Sequence, residues 1–224
     1  MTRNSRWSSV AGIVFVVLFV FGTLSSIDSP DIKSKDTGQI ADQKWLHYLS
    51  SSSHRSQHIL GGYALILAGI AFVWFCNGLR NRIDGMAGAS VAGRTIAGLS
   101  VFGAAALACA AMVGTDIAGS VNFGNDPMPT NGDVAREIGN LTFPFIYVVF
   151  ALVSAALIAT VIVTARRTGA LPSWIIYTGW LGVLGGVFAV IFLPMVLVAL
   201  WYLALAIVGV ATPGRDPASA STTA

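Results

Sequence analysis

Four stretches of the chain, residues 7–27, 59–79, 95–115 and 143–164, run without a single Asp, Glu, Lys or Arg. Each holds about 20 residues, the number a helix needs to cross roughly 30 Å of hydrocarbon at about 1.5 Å per residue. A fifth uncharged stretch, 174–211, is 38 residues long. As one helix it would extend about 57 Å, beyond any bilayer. It reads as two spans, 174–191 and 194–211, joined by a turn near Phe192-Leu193-Pro194, where proline cannot donate a helical hydrogen bond. A re-entrant hairpin is the alternative, because that turn is itself apolar. The pattern predicts an all-α, polytopic transmembrane helical bundle of six spans, forming one domain over residues 7–211.

The polar positions between the spans predict two loops on one side of the membrane, 28–58 and 116–142. In the first, Trp45, Leu46, Tyr48 and Leu49 lie among polar residues, which suits a short amphipathic helix at the interface. Ser50–Ser53 then read as the cap region of the second span. In the second, Gly124-Asn125-Asp126-Pro127 and Pro129-Thr130-Asn131-Gly132 are turn chemistry, and Asp133 is the expected N-cap of a helix leading into span four. Pro144 falls in the first turns of that span, where a missing N–H costs least. The third span is thin, with Gly98, Gly103, Gly114 and six alanines between 104 and 111. Small residues let helices approach closely, which places this span at the centre of the bundle. Residues 212–224, rich in Ala, Ser and Thr, read as a disordered cytoplasmic tail.

Composition agrees: 55% of residues are hydrophobic and 10% charged, against about 25% charged in soluble domains. Charge fixes an orientation. Eight arginines (3, 6, 80, 82, 94, 166, 167 and 215) fall on the side of the short connections, with only Asp84 and Asp216 beside them. The opposite side carries five basic and eight acidic residues. Lys and Arg near span ends favour the cytoplasm, so residues 1–6 and the C-terminus are both expected inside. The arginines are scattered over separate short loops, which excludes a nucleic-acid surface as the meaning of the net +3 charge. Arg3 and Arg6 before an apolar run resemble a signal peptide, but a run of about 20 residues is long for one, so a retained first span is expected. Cys76 and Cys109 fall at depths differing by roughly 16 Å along their helices, too far for a disulfide, which needs Cα atoms within about 7 Å. Two free, buried thiols are expected.

Candidate chemistry is confined to the predicted outer side. His54 and His58 are four residues apart, so a helix puts them on one face, and His47 could fold towards them. Imidazoles with Asp42 nearby would suit zinc or another transition ion, against the plainer reading of three wet interfacial histidines. Asp116, at the end of span three, is a candidate ligand or cation site if its helix runs on below the headgroups; Arg136 and Arg55 are its candidate cationic partners. The plainer reading makes Asp116 a cap at the water boundary or a partner of Arg136. No phosphate loop, zinc-protease motif or nucleophile elbow occurs, and the spans hold no ionisable group at mid-depth, where pumps usually need one. No catalytic residue and no cofactor are expected.

The run from Tyr63 through Trp74-Phe75-Cys76-Asn77-Gly78-Leu79-Arg80, the run Gly169-Ala170-Leu171-Pro172-Ser173-Trp174, and Phe192-Leu193-Pro194-Met195 with Leu200-Trp201 resemble a group of uncharacterised actinobacterial multi-pass membrane proteins of similar length. The resemblance covers Gly61 to Gly209. It implies a bacterial cell membrane and the same span layout, and brings no activity and no functional residues. Three function classes follow. The first is a non-enzymatic protein that packs against lipid and against a membrane-protein partner or a second copy of itself. The second is a small transporter, which would need a water-lined cavity. The third is an outer-face metal protein or enzyme, which would need the three histidines to converge.

Overall fold

A computed structural model describes residues 3–33, 36–87 and 90–211. The described residues form an all-helical bundle without strands. The helices are α1 (Arg3–Ser26), α2 (Gly38–Ser50), α3 (Ser52–Ala87), α4 (Val91–Phe123), α5 (Gly132–Pro144), α6 (Ala151–Thr168), α7 (Ser173–Val187) and α8 (Met195–Ala211). Among the described residues, four continuous segments are long and apolar enough to cross a membrane: Trp7–Ser26, Ser52–Gly85, Val91–Phe123 and Gly132–Thr168. α7 and α8 are apolar but shorter, at 15 and 17 residues. The expected tail at 212–224 lies outside the described residues, as do Lys35, Arg215 and Asp216.

The charge-free stretches 59–79 and 95–115 are thus the middles of longer helices. α3 and α4 continue one to two turns past the expected span ends, so much of residues 28–58 and 116–142 is helix rather than loop. Asn131, not Asp133, caps α5: its Oδ1 accepts from the backbone N–H groups of Asp133 and Val134. Two free donors of the first turn are met in this way, and Asp133 occupies that turn instead. Pro144 does not begin a span. α5 passes through it into a widened turn, Phe145–Phe150, and on into α6. Proline removes one hydrogen bond and crowds the preceding turn, and the i→i+5 winding that follows, seen in the Ala151 N–H bond to Ile146 O, absorbs that defect without a break.

α3 packs against α1 and α4, α1 against α8, and α6 against α4 and α7. Where they meet, Phe15, Phe72, Phe150 and Tyr202 are fully buried, with ring centroids 4.8 to 6.2 Å apart. Offset and edge-on ring contacts at this spacing are favourable beyond the area they bury. α4 departs from expectation: it is the least buried of the four membrane-length helices, so it lies at the edge of the bundle. Its small residues serve one face. A Cβ added to Gly69 of α3 would come 3.3 Å from Ala104 O, and one added to Gly103 3.0 Å from Phe72. Val101, Phe102 and Met112 on the other face are exposed. Cys76 and Cys109 are both free thiols, as expected, but only Cys76 is buried.

The arginine-bearing end is closed by a local network. Asp84 pairs with Arg80 at 3.3 Å and accepts from the Ser90 N–H and Oγ–H, while Ser90 Oγ accepts from Gly93 N–H to cap α4. At the opposite end α2 and α5 pack on each other as a cap.

Candidate functional site: the polar cluster under the cap

The cap forms because α2 is amphipathic. Ala41, Trp45, Tyr48 and Leu49 recur at helical spacing, and all four are buried. Their cover is protein: Ala135 of α5 completes a small hydrophobic cluster with Trp45, Tyr48 and Leu49, and a Cβ on Gly139 would meet the Trp45 ring at 2.6 Å. Arg136 pins the two helices together, reaching Asp42 at 3.5 Å, Asp133 and, at 3.6 Å, Glu137. Arg55, in the first turn of α3, closes the end of α2 by donating to Leu49 O and Ser50 O, and its Nε donates to Asn122 Oδ1 of α4 at 2.7 Å. Carbonyls at a helix C-terminus are natural acceptors for such a cation.

Beneath α2 lies a polar cluster. Tyr48 OH donates to Asp28 Oδ2 at 2.8 Å, and Gln57 Nε2 donates to the same oxygen at 3.3 Å. His58 is buried, with Nε2 3.3 Å from Tyr48 OH. The Tyr48 hydroxyl donates its one proton to the carboxylate, and the Tyr48 oxygen lies beside His58 Nε2. His54 lies flat on the Tyr48 ring, centroids 4.0 Å apart and planes 9° apart, with Nδ1 3.1 Å from Tyr48 O. A carbonyl only accepts, which assigns the His54 proton to Nδ1. Burial, then the hydrogen bond and charge of Asp28, push the Tyr48 phenol well above its ordinary range. Phenol, carboxylate and two imidazoles therefore share one hub, with Tyr48 a neutral donor at physiological pH.

The sequence candidates fare unevenly. His54 and His58 do come together, about Tyr48, while His47 is exposed on the other face of α2. The trio forms no metal site: among the described residues no three His, Cys, Asp or Glu side chains are grouped to hold a metal ion. The reason is angular, since residues 47 and 48 point about 100° apart on a helix and Tyr48 takes the inward position. α4 does run past Val121, as the Asp116 reading requires, but Asp116 is exposed, and Arg55 and Arg136 are engaged elsewhere. Asp28 and Gln57 carry no signal of their own in the sequence, and Trp45 and Tyr48, expected on an interfacial helix, instead face protein. The inward phase of positions 41, 45, 48 and 49 was the signal available.

Beside the cluster, the end of α1, Trp45 and the Gly139–Phe143 turn of α5 line a half-open cavity of about 320 Å³. Asp28 lines both the cluster and the cavity. No family model, no curated protein and no solved structure matches this chain. Its function must therefore be argued from these contacts.

Proposed function

We propose that this chain is a non-enzymatic integral protein of a bacterial cell (inner) membrane, with four full crossings, the re-entrant hairpin over residues 174–211 in place of a fifth and sixth, and both ends in the cytoplasm. It acts by packing and interaction with lipid and with a membrane-protein partner or a second copy of itself. On this reading the arginine-bearing end faces the cytoplasm and the α2–α5 cap faces outside, with α7 and α8 forming a short final hairpin. The arginine asymmetry supports the orientation, and the resemblance to actinobacterial multi-pass proteins supports the membrane.

The observation that carries the functional reading is the aromatic centre. A solute path needs a polar, water-lined way through the bundle. At mid-depth Phe15, Phe19, Phe72, Phe150 and Tyr202 meet ring to ring instead. The polar hub lies at one end, under the α2–α5 cap.

Two measurements test this. In a Cys76→Ser, Cys109→Ser background, an impermeant maleimide should label Asn125→Cys in intact cells, and Arg82→Cys and Arg166→Cys only after permeabilisation. The reverse order would overturn the orientation. Reconstituted protein should leave proton and small-solute leakage at the level of empty vesicles; a saturable flux would replace this reading with the transport one.

A further inference from the structure

We propose that Met128 is a site of reversible oxidation, and that the oxygen its sulfur gains is received by the Arg55 guanidinium. Met128 lies in the connection between α4 and α5, between two membrane-length segments and therefore in water. It is partly buried and packs against the cluster of Trp45, Tyr48, Leu49 and Ala135. Pro127 and Pro129 flank it. The first has a fixed φ and the second disfavours a helical backbone at Met128, so the side chain is presented from a stiff segment. Met112, by contrast, is 69% exposed but points to lipid from the membrane-length part of α4, and Met195 is only 4% exposed. Of these three, Met128 is the one a water-borne oxidant meets first. The assignment needs the cap in water and holds for either orientation in the membrane.

The second observation is what faces the sulfur. Sδ lies 3.9 Å from Arg55 Nη1 in a partly buried contact. Other bonds hold the guanidinium in place: Nε donates to Asn122 Oδ1 at 2.7 Å, and Nη1 donates to Leu49 O at 2.7 Å and to Ser50 O at 2.9 Å. Those two carbonyls take both Nη1 hydrogens. The thioether, a weak acceptor, is left beside the fork, and Nη2 has no acceptor among the described residues. A cation with unused donors is a poor match for a thioether and a good one for an oxygen in the same place.

The oxidant is a hydroperoxide. A sulfur lone pair attacks the terminal peroxide oxygen, so that the S–O bond forms and the O–O bond breaks. The proton on the attacked oxygen moves to the departing one, which leaves as water or an alcohol. Sulfur gives up two electrons and the peroxide takes them. Methionine sulfoxide ordinarily disrupts apolar packing because it is polar. Here its oxygen stands one bond from the sulfur, among N–H donors, and a hydrogen bond to an ionised group is roughly twice as strong as a neutral one. Oxidation therefore fastens the α4–α5 connection to the α2–α3 junction that Arg55 already holds. Methionine sulfoxide reductases reverse it.

The test uses full-length protein in nanodiscs treated with hydrogen peroxide. Peptide mass spectrometry reads the sulfoxide at each methionine, and tryptophan fluorescence follows melting of the cap. Met128 sulfoxide should form at least tenfold faster than Met112 or Met195 sulfoxide. The oxidised cap should melt about 2–4 °C higher, reductase treatment should reverse the shift, and Met128→Leu should show none. In Arg55→Gln the sign should change: oxidation there should lower the melting temperature, because the new oxygen has lost its cation. The proposal is overturned if Met128 oxidises no faster than Met112 or Met195, or if oxidation leaves the melting temperature of wild type unchanged or lowers it. It also falls if folded Arg55→Gln shows the same rise as wild type. Should that variant not fold, the sign of the shift in wild type against Met128→Leu decides alone.

Discussion

Replacing Phe150 by alanine tests the solid interior directly. Phe150 is fully buried, with the rings of Phe19, Phe72 and Phe15 at 5.1, 5.5 and 6.2 Å. In a water-soluble protein such a truncation costs about 3–5 kcal/mol, part of which is transfer of the ring from water. Inside a bilayer that part vanishes, because separated helices still sit in an apolar solvent. The void remains: losing the ring opens roughly 100 Å³, which at about 24 cal/mol per Å³ costs about 2.4 kcal/mol. Lost ring contacts add about 0.5–1.5 kcal/mol. The expected sum is about 3 kcal/mol, roughly a hundredfold in the unfolding equilibrium. Trp74→Ala is the control: it removes a larger side chain that is 66% exposed and faces lipid in the folded and separated states alike, so its cost should be near zero. Helicity followed through SDS-driven unfolding in mixed micelles measures both. If Phe150→Ala costs no more than Trp74→Ala, the centre is not packed as described and the argument against a solute path fails with it.

Tyr48→Phe removes a hydroxyl bonded to a carboxylate, worth about 1.5–3 kcal/mol, and should lower the melting temperature of the cap followed by tryptophan fluorescence. Because the folded-state Tyr48 pKa is raised, the neutral phenol's contribution is complete below the ordinary value of about 10 and is lost as pH climbs through the raised one; in Tyr48→Phe that alkaline loss should disappear from the cap's melting curve. The Lys44 ammonium, bonded to Asp36 at 2.6 Å, holds the Asp36 carboxyl below the usual carboxylate range. That pair's contribution is present above the ordinary carboxylate pKa and fades as pH falls through the lowered one, and Lys44→Met should raise the Asp36 titration, read by NMR, part of the way to its ordinary position, the Lys33 N–H bond to the carboxylate holding the rest. Gly186→Leu should unseat α7, since a Cβ there would lie 2.7 Å from Ala151 O and 2.9 Å from the Ala155 Cβ. Overpacking of this kind costs about 1–3 kcal/mol, whereas Gly98→Leu, with nothing within 4 Å, should be silent in the same unfolding assay.

The helix positions were readable because charge is excluded from hydrocarbon: 59–79 lies within Ser52–Ala87, 95–115 lies within Val91–Phe123 and 194–211 nearly coincides with Met195–Ala211, whereas 174–191 runs past the end of Ser173–Val187. Helix ends were less readable. Once a helix leaves lipid it can add polar turns without any change of period, as α3 does from Ser52 to His58. Span three was misplaced for a different reason. Small residues reveal that a face is approached closely but not how many faces are, and α4 uses Gly103, Ala106, Ala110 and Ala111 on one side only. The site was obscured by an ambiguity of amphipathic helices. Trp45 and Tyr48 would look the same facing lipid or facing protein, and only α5, contributed by residues about 90 positions later, decides the matter. Histidine spacing correctly paired 54 with 58 but could not show that a tyrosine fills the place between them.

The final hairpin makes a sharper demand. α7 and α8 are about 22 and 25 Å long at 1.5 Å per residue, short of a 30 Å core, and Phe192 at their turn rests on Tyr147, one helical turn below Phe143 at the cavity. The tip, Phe188 to Leu193, is apolar and exposed apart from Ala189. Backbone in hydrocarbon must satisfy its own hydrogen bonds, and this turn does. Between Ile191 and Leu197 each N–H finds an acceptor two or three residues back, and Pro194 has no N–H to satisfy. The tight bond from Leu193 N–H to Ile191 O requires Phe192 at φ 72°, a strained conformation for a side-chain-bearing residue. A turn in water would have no need of that strain, since water could take the same groups. Leu193→Cys in the cysteine-free background should therefore resist impermeant maleimide in sealed and in permeabilised cells, under conditions where Asn125→Cys is labelled from outside. Labelling of Leu193→Cys in sealed cells as fast as Asn125→Cys would put the tip in water and leave the strained residue without a reason.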